Sequence, residues 1–147
     1  MEIKESEFIY SDDHNLIDVA AVHRYLSTES YWAKGIPLEI VRRAIANSLC
    51  FGIYQANQQV GFARWVTDRA TFAYLCDVYI AQEFRGIGLS KKLMSFMMFH
   101  PDLQGLRTYF LGTLDAHGLY EQFGFKALAH PERRMEIVVQ DIYSEKS

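Results

Sequence analysis

The sequence predicts an α/β chain built on a mixed sheet with helices on both of its faces. Three observations predict it. Segments of period 2 and period 3.6 follow one another in the order β-α-α-β-β-β-α-β-α-β-β, and helices recurring between strands need a common sheet to pack on. The run from Val78 to Leu93 passes from an apolar strand through a glycine loop straight into an amphipathic helix. Hydrophobic residues make up 50% of the 147 residues, enough to build the core of a single domain over residues 1–147.

Residues 2–10 are expected to form the first strand. Asp12 or Asp13 then caps a helix running to about Leu26. Residues 27–36 are a loop containing Tyr31, Trp32 and Gly35. Pro37 suits the first turn of a second helix, in which Leu38, Val41 and Ile45 recur at helical spacing. Two strands follow at 49–55 and 59–67, joined by a polar turn at Ala56-Asn57-Gln58. A longer strand over 71–80 leads into the glycine loop. In the helix beyond it, Leu89, Leu93 and Phe96 or Met97 share one face, while Lys91 and Lys92 face water. A strand over 106–112, a helix over 115–123 and final strands over 125–128 and 135–143 complete the chain.

The loop Arg85-Gly86-Ile87-Gly88 sits where chemistry is expected. Glycines let backbone approach a ligand closely, and a helix start presents unpaired N–H groups at the positive end of its dipole. Together they make an anion site suited to a pyrophosphate, to which Arg85 adds a planar cation. The dinucleotide pattern G-x-G-x-x-G fails because position 91 is Lys91, and G-x-x-x-x-G-K-[ST] has no match in the chain. Arg85-Gly86-Ile87-Gly88-Leu89-Ser90 instead resembles the [QR]-x-x-G-x-[GA] coenzyme-A loop of the GNAT superfamily of N-acetyltransferases, with Ser90 in place of the last Gly or Ala. Downstream, Ala116-His117-Gly118-Leu119-Tyr120-Glu121-Gln122-Phe123-Gly124-Phe125 resembles the A-x-x-L-Y-x-x-x-G-F motif of the same superfamily. Thr113 stands where the family commonly has Asn. The element order agrees over most of the chain.

The resemblance implies a mostly antiparallel mixed sheet in which a splayed strand pair binds CoA. It implies acetyl transfer from acetyl-CoA to a primary amine by direct attack in a ternary complex. Arg85, Gly86, Ile87, Gly88, Leu89 and Ser90 are then expected to hold the pyrophosphate. The strand end at Val78, Tyr79 and Ile80 pairs with the pantetheine arm, next to a β-bulge, and the N–H of Val78 or Tyr79 polarises the thioester carbonyl. Tyr120 matches the family's general acid, and a phenol is still protonated at neutral pH. Asp77 is the candidate base: alternation sets it with Leu75 and Tyr79, opposite Cys76 and Val78, in a segment otherwise apolar. The competing role for Asp77 is a structural bond to backbone or to an arginine. His117, three residues before Tyr120, is a candidate relay. In the family the loop between the first two helices lines the acceptor pocket, which nominates Tyr31 and Trp32, although Trp32 also suits a plug for the end of the core. Arg64 and Trp65 are further candidates for the cleft.

Composition narrows the partners. A net charge of −3 leaves no footprint for nucleic acid, and no apolar run approaches a membrane span. Residues 1–7 are charged and unlike a signal peptide, and Cys50 and Cys76 read as reduced core thiols, so a cytoplasmic setting is expected. His14, His23, His100 and His130 have no ligand spacing, and no metal is expected. A small-molecule amine is the expected acceptor, with the protein a monomer or homodimer. The alternatives are transfer to a protein lysine or N-terminus, and a CoA-binding regulatory module without turnover.

Overall fold

Residues 1–144 are described by the computed structural model, in which six strands form one sheet whose order across the sheet is their order along the chain. The first expected strand is a hairpin of two: β1 (Glu2–Glu5) and β2 (Phe8–Ser11). The polar Ser6-Glu7 pair breaks the run, with Ser6 in the left-handed region at φ 58°. The first helix also starts later than expected. Asp13 caps only a 3-10 turn at His14–Leu16, because buried Ile17 is extended. Asp18 accepts from the Ala21 N–H and starts α1 (Val19–Thr28). α2 (Leu38–Ala46) begins behind Pro37, whose ring-set φ of −66° suits a helix entry. Val41 and Ile45 are buried against Val22 and Leu26 of α1.

β3 (Leu49–Gln55) and β4 (Gln58–Thr67) form a tight hairpin. Ala56 and Asn57 both take positive φ there, which matches the twist of the flanking strands. β5 (Phe72–Ile80) pairs antiparallel with β4. β6 (Thr108–Leu111) is parallel to β5 and is reached through α3 (Leu89–Met98). The sheet is therefore mixed and mostly antiparallel, as the sequence predicts.

Apolar side chains pack on both faces. On the α3 face Phe51, Trp65, Leu93 and Met97 are fully buried. The Trp65 indole N–H donates to the Met97 sulfur at 3.2 Å, so Trp65 belongs to this core and not to the cleft. On the other face α1 and α2 cover Cys50, Phe62 and Tyr79. His100 is buried and joins the end of α3 to the end of β2, its Nε2 2.7 Å from the Asp12 carboxylate.

The C-terminal third departs most from expectation. α4 spans only His117–Glu121, and Gly124 closes it at φ 95°. Residues 125–128 and 135–143 carry no strand pairing. Between them Pro131–Arg133 makes a 3-10 turn, the Arg134 guanidinium lies 4.2 Å over the Phe110 ring, and Tyr143 packs onto the α1/α2 cluster. β6 thus ends the sheet. Among the described residues no helix is long and apolar enough to cross a membrane.

Candidate active site

β5 and β6 pair only over Phe72–Leu75 against Thr108–Leu111 and then diverge. A bulge drives β5 away. Phe62 faces Tyr79 and Arg64 faces Cys76, so Ala63 alone spans Asp77 and Val78, with Asp77 in the left-handed region at φ 54°. Beyond the bulge the Ala81 N–H donates to the Val60 carbonyl at 2.8 Å. Antiparallel alternation then turns the Tyr79 N–H toward β4 and leaves the N–H groups of Val78 and Ile80 on the open edge. Of the two expected carbonyl donors, Val78 is the one facing the gap.

The gap opens into a cavity of about 490 Å³ walled by the end of β5, the glycine loop, the start of α3 and α4. Gly86 and Gly88 have φ of 82° and 85°, and a Cβ on either would meet nothing within 4 Å. The glycines are therefore required by backbone conformation, and the space above them is free for a ligand. Gly88 caps α3 with no side-chain bond, which leaves the first-turn N–H groups of Leu89, Ser90 and Lys91 unpaired inside the helix. The Arg85 Nε donates to the Ile80 carbonyl at 2.9 Å, on the open edge, and pins the loop to the strand end. Ile87 is exposed at the loop tip. Open space over two glycines next to an unsatisfied helix start fits a pyrophosphate.

A second cavity, about 530 Å³, adjoins the first on the α1/α2 side. Tyr25, Val78, Ala116 and Tyr120 stand in the walls of both. Tyr120 is buried, which pushes its phenol above the ordinary value, and neighbouring Tyr31 and Asp115 add to the rise. A proton is thus held where the cavities meet.

Asp77 faces this second cavity. Because the bulge inserts a residue, Asp77 leaves the face of Leu75, which stays in the α3 core, and lies on the α1/α2 side with Arg64. One carboxylate oxygen accepts from the Arg64 Nε at 2.9 Å and the other from the Trp32 indole N–H at 2.8 Å. Arg64 continues to the Ser48 hydroxyl at 3.1 Å. The Asp77 side chain is 11% exposed, so the pair is largely removed from water. Trp32 is 43% exposed and packs edge-on to Tyr31 at 4.9 Å, lining the cavity instead of plugging the core.

The structure brings most of the residues singled out in the sequence to these two cavities. Trp65 lies in the core, Ile87 at the exposed loop tip, and His117 in a groove along β6 and α4, and none of the three lines either cavity. Cys76 is not a core thiol but a wall of the second cavity, and burial pushes its pKa up to about 12. Four lining residues were missed in the sequence. Tyr25 stacks on Tyr79 at 4.0 Å, Glu29 and Asp115 are exposed carboxylates at the second cavity, and Tyr74 faces it from β5. Only the helical spacing of Tyr25 beside buried Val22 and Leu26 hinted at any of them. Among the described residues no group of three or more His, Cys, Asp or Glu is placed to hold a metal ion.

Comparison with known proteins is consistent with this geometry. Residues 46–127 match the family described as Acetyltransferase (GNAT) domain. A candidate acetyltransferase of Gibberella zeae is 31% identical over 136 residues, covering 78% of this chain and 76% of that protein. A crystal structure of a candidate GNAT-family acetyltransferase from Xanthomonas campestris pv. campestris superposes with a TM-score of 0.93 at 49% identity, over 97% of this chain and 100% of the other. An acetyltransferase structure from Clostridium acetobutylicum, solved with acetyl-CoA, shares the fold at a TM-score of 0.63 and 16% identity, over 89% of this chain and 96% of that one.

Proposed function

The chain belongs to the GNAT acetyltransferase family, and from that premise we propose that it moves an acetyl group from acetyl-CoA to the primary amine of a small molecule, by direct attack with both substrates bound. The observation that carries this reading is the meeting of two cavities at Val78 and Tyr120, one beside an anion-binding helix start and the other walled by aromatic rings and carboxylates.

Acetyl-CoA, when bound, supplies an activated acyl group and a thiol leaving group. The chain's own residues supply the rest. The N–H groups of the glycine loop and of Leu89 and Ser90 hold the pyrophosphate, with Ile87 at the tip, while Arg85 keeps the loop against the strand. Val78, Tyr79 and Ile80 form the wall for the pantetheine arm, and the Val78 N–H polarises the acyl oxygen. With acetyl-CoA bound, Tyr120 would donate its proton to the departing sulfur as the N–C bond forms, and the proton shed by the acylated nitrogen, passed through solvent, would restore the phenol. Burial keeps that phenol protonated until it is needed.

On the acceptor side Glu29 and Asp115 favour an ammonium ion at the mouth, and Tyr31 and Trp32 offer faces to a cation. Asp77 was the expected base. With both oxygens engaged, its stronger role is to hold Trp32 and Arg64 in position, leaving the ammonium proton to pass to solvent before attack.

Thiol release measured across a panel of small amines and lysine peptides, alongside calorimetric CoA binding, tests the assignment. Turnover on small amines is expected. CoA binding without turnover on any acceptor would mark a regulatory module, and preference for peptides would move the acceptor to proteins.

A further inference from the structure

The segment over residues 135–142 reads Met-Glu-Ile-Val-Val-Gln-Asp-Ile, a strand-forming sequence that forms no strand. Its apolar side chains face water: Met135 is 98% exposed and Ile137 94%, and Val138, Val139 and Ile142 are each more than half exposed. A contiguous apolar run left in solvent marks a contact surface. Both ends of the segment are tied to its own chain. Arg134 lies over Phe110, and the Tyr143 carbonyl sits so close to Gly35 that a Cβ there would be 2.7 Å from it. Between these two anchors the segment runs as a strap that forms no pairing with β6.

That open edge is the complementary half. β6 ends the sheet, and between it and residues 125–129 lies a groove of about 450 Å³ lined by Tyr109, Leu111, Phe125 and Leu128. An unpaired strand edge facing an apolar groove is a template for one more strand. The chain thus carries a strand-forming segment without an edge and an edge without a strand, and within one copy the two do not pair.

We propose that a second copy of this chain joins them: the strap over residues 135–142 of each copy adds as a strand along β6 of the other, in a two-fold dimer. The contact is self-complementary, since each copy gives a strap and receives one, and so it closes without further growth. The groove shares Leu111, Gly112, Thr113 and Tyr120 with the acceptor cavity, so the partner's strap completes a wall of that cavity. This last consequence rests on the acetyltransferase reading, whereas the association itself does not.

The test is sedimentation together with amide hydrogen exchange on the full chain, and on the variant Ile137→Asp/Val139→Asp. In a single copy both positions are mostly in water, so the variant retains its fold. The expected result is a wild-type particle of twice the 17.0 kDa chain mass, with the amides of residues 108–111 and 135–139 protected. The variant should sediment as a single chain and lose that protection, while its CoA affinity stays within about threefold because one chain builds the donor cavity. A wild-type chain that remains monomeric up to saturation would overturn the proposal. So would a dimer whose residues 135–139 exchange freely, or a variant that still dimerises. Because none of these readouts needs turnover, they stand even if no acceptor is found.

Discussion

The two cavities that meet at Tyr120 are built from different material. The cavity proposed for the donor is walled mainly by backbone: the open edge of β5, two left-handed glycines and the first turn of α3, all within residues 78–91. The cavity proposed for the acceptor is walled by side chains from α1, the loop after it, β4, β5 and the approach to α4. Backbone offers the same N–H groups whatever the side chains are, so one short stretch suffices to bind a constant ligand. Side chains gathered from distant segments can be exchanged one at a time. A constant donor and a variable acceptor call for different kinds of wall.

Substitutions can break or sharpen this contrast. The largest effect is expected at the shared wall. Tyr120→Phe keeps the ring and removes the proton donor, so kcat should fall by about 10²–10⁴ with CoA affinity nearly unchanged in calorimetry. A kcat within about threefold of the parent, where chemistry limits the rate, removes Tyr120 from the proposed mechanism.

Asp77→Asn acts on the acceptor wall. It strands the Arg64 guanidinium among buried groups, and the loss should fall toward the lower end of the roughly 3–5 kcal/mol seen when one partner of a buried pair is removed, read as a drop in Tm. With Trp32 released, the acceptor KM should rise while the pH–rate profile stays where it was. If the acidic limb moves instead, Asp77 titrates in the reaction and is a base after all.

On the donor side, Gly88→Val places a side chain in the open space above the loop and forces it into a left-handed φ. CoA affinity should weaken at least tenfold, about 1.4 kcal/mol, with the acceptor wall intact. Unchanged affinity in a folded variant would show that the ligand does not approach here. The smallest effect is expected at Ser90→Ala. If backbone N–H groups bind the anion, losing the hydroxyl should change CoA affinity by less than about threefold, under 0.7 kcal/mol. A tenfold loss would mean that the serine hydroxyl itself is a ligand, and the contrast between backbone and side-chain walls would weaken.

The walls of the first cavity were legible in the chain because most of them are neighbours in sequence. A strand, two glycines and a helix start sit at fixed spacing, and the spacing alone brings them together. Most of the secondary structure was legible for the same reason: β3, β4, β5 and α3 follow local periodicity closely. The misreadings have specific causes. Ser6 breaks one strand into two through a single left-handed residue, and Asp18 supplies the helix cap expected at Asp12 or Asp13. The bulge at Asp77 shifts the alternation of β5, so a pattern of period 2 set Asp77 with both Leu75 and Tyr79, whereas it shares a side only with Tyr79. The terminal strand has the composition of a strand but no partner in its own chain, and composition cannot report pairing.

Local sequence set most of the elements from α1 to α4 in their order, the glycine loop ahead of α3 and the tyrosine across the cavity from it. Each follows from residues a few positions apart, whose conformations are coupled through the local backbone. Only the tertiary structure decided that Asp77 is held between Arg64 and Trp32, that Trp65 is core while Trp32 is pocket, and that Glu29 and Asp115 face one cavity. Those relations join residues tens of positions apart. They are set by how helices pack across a sheet and by one extra residue in a strand, and no local periodicity encodes either.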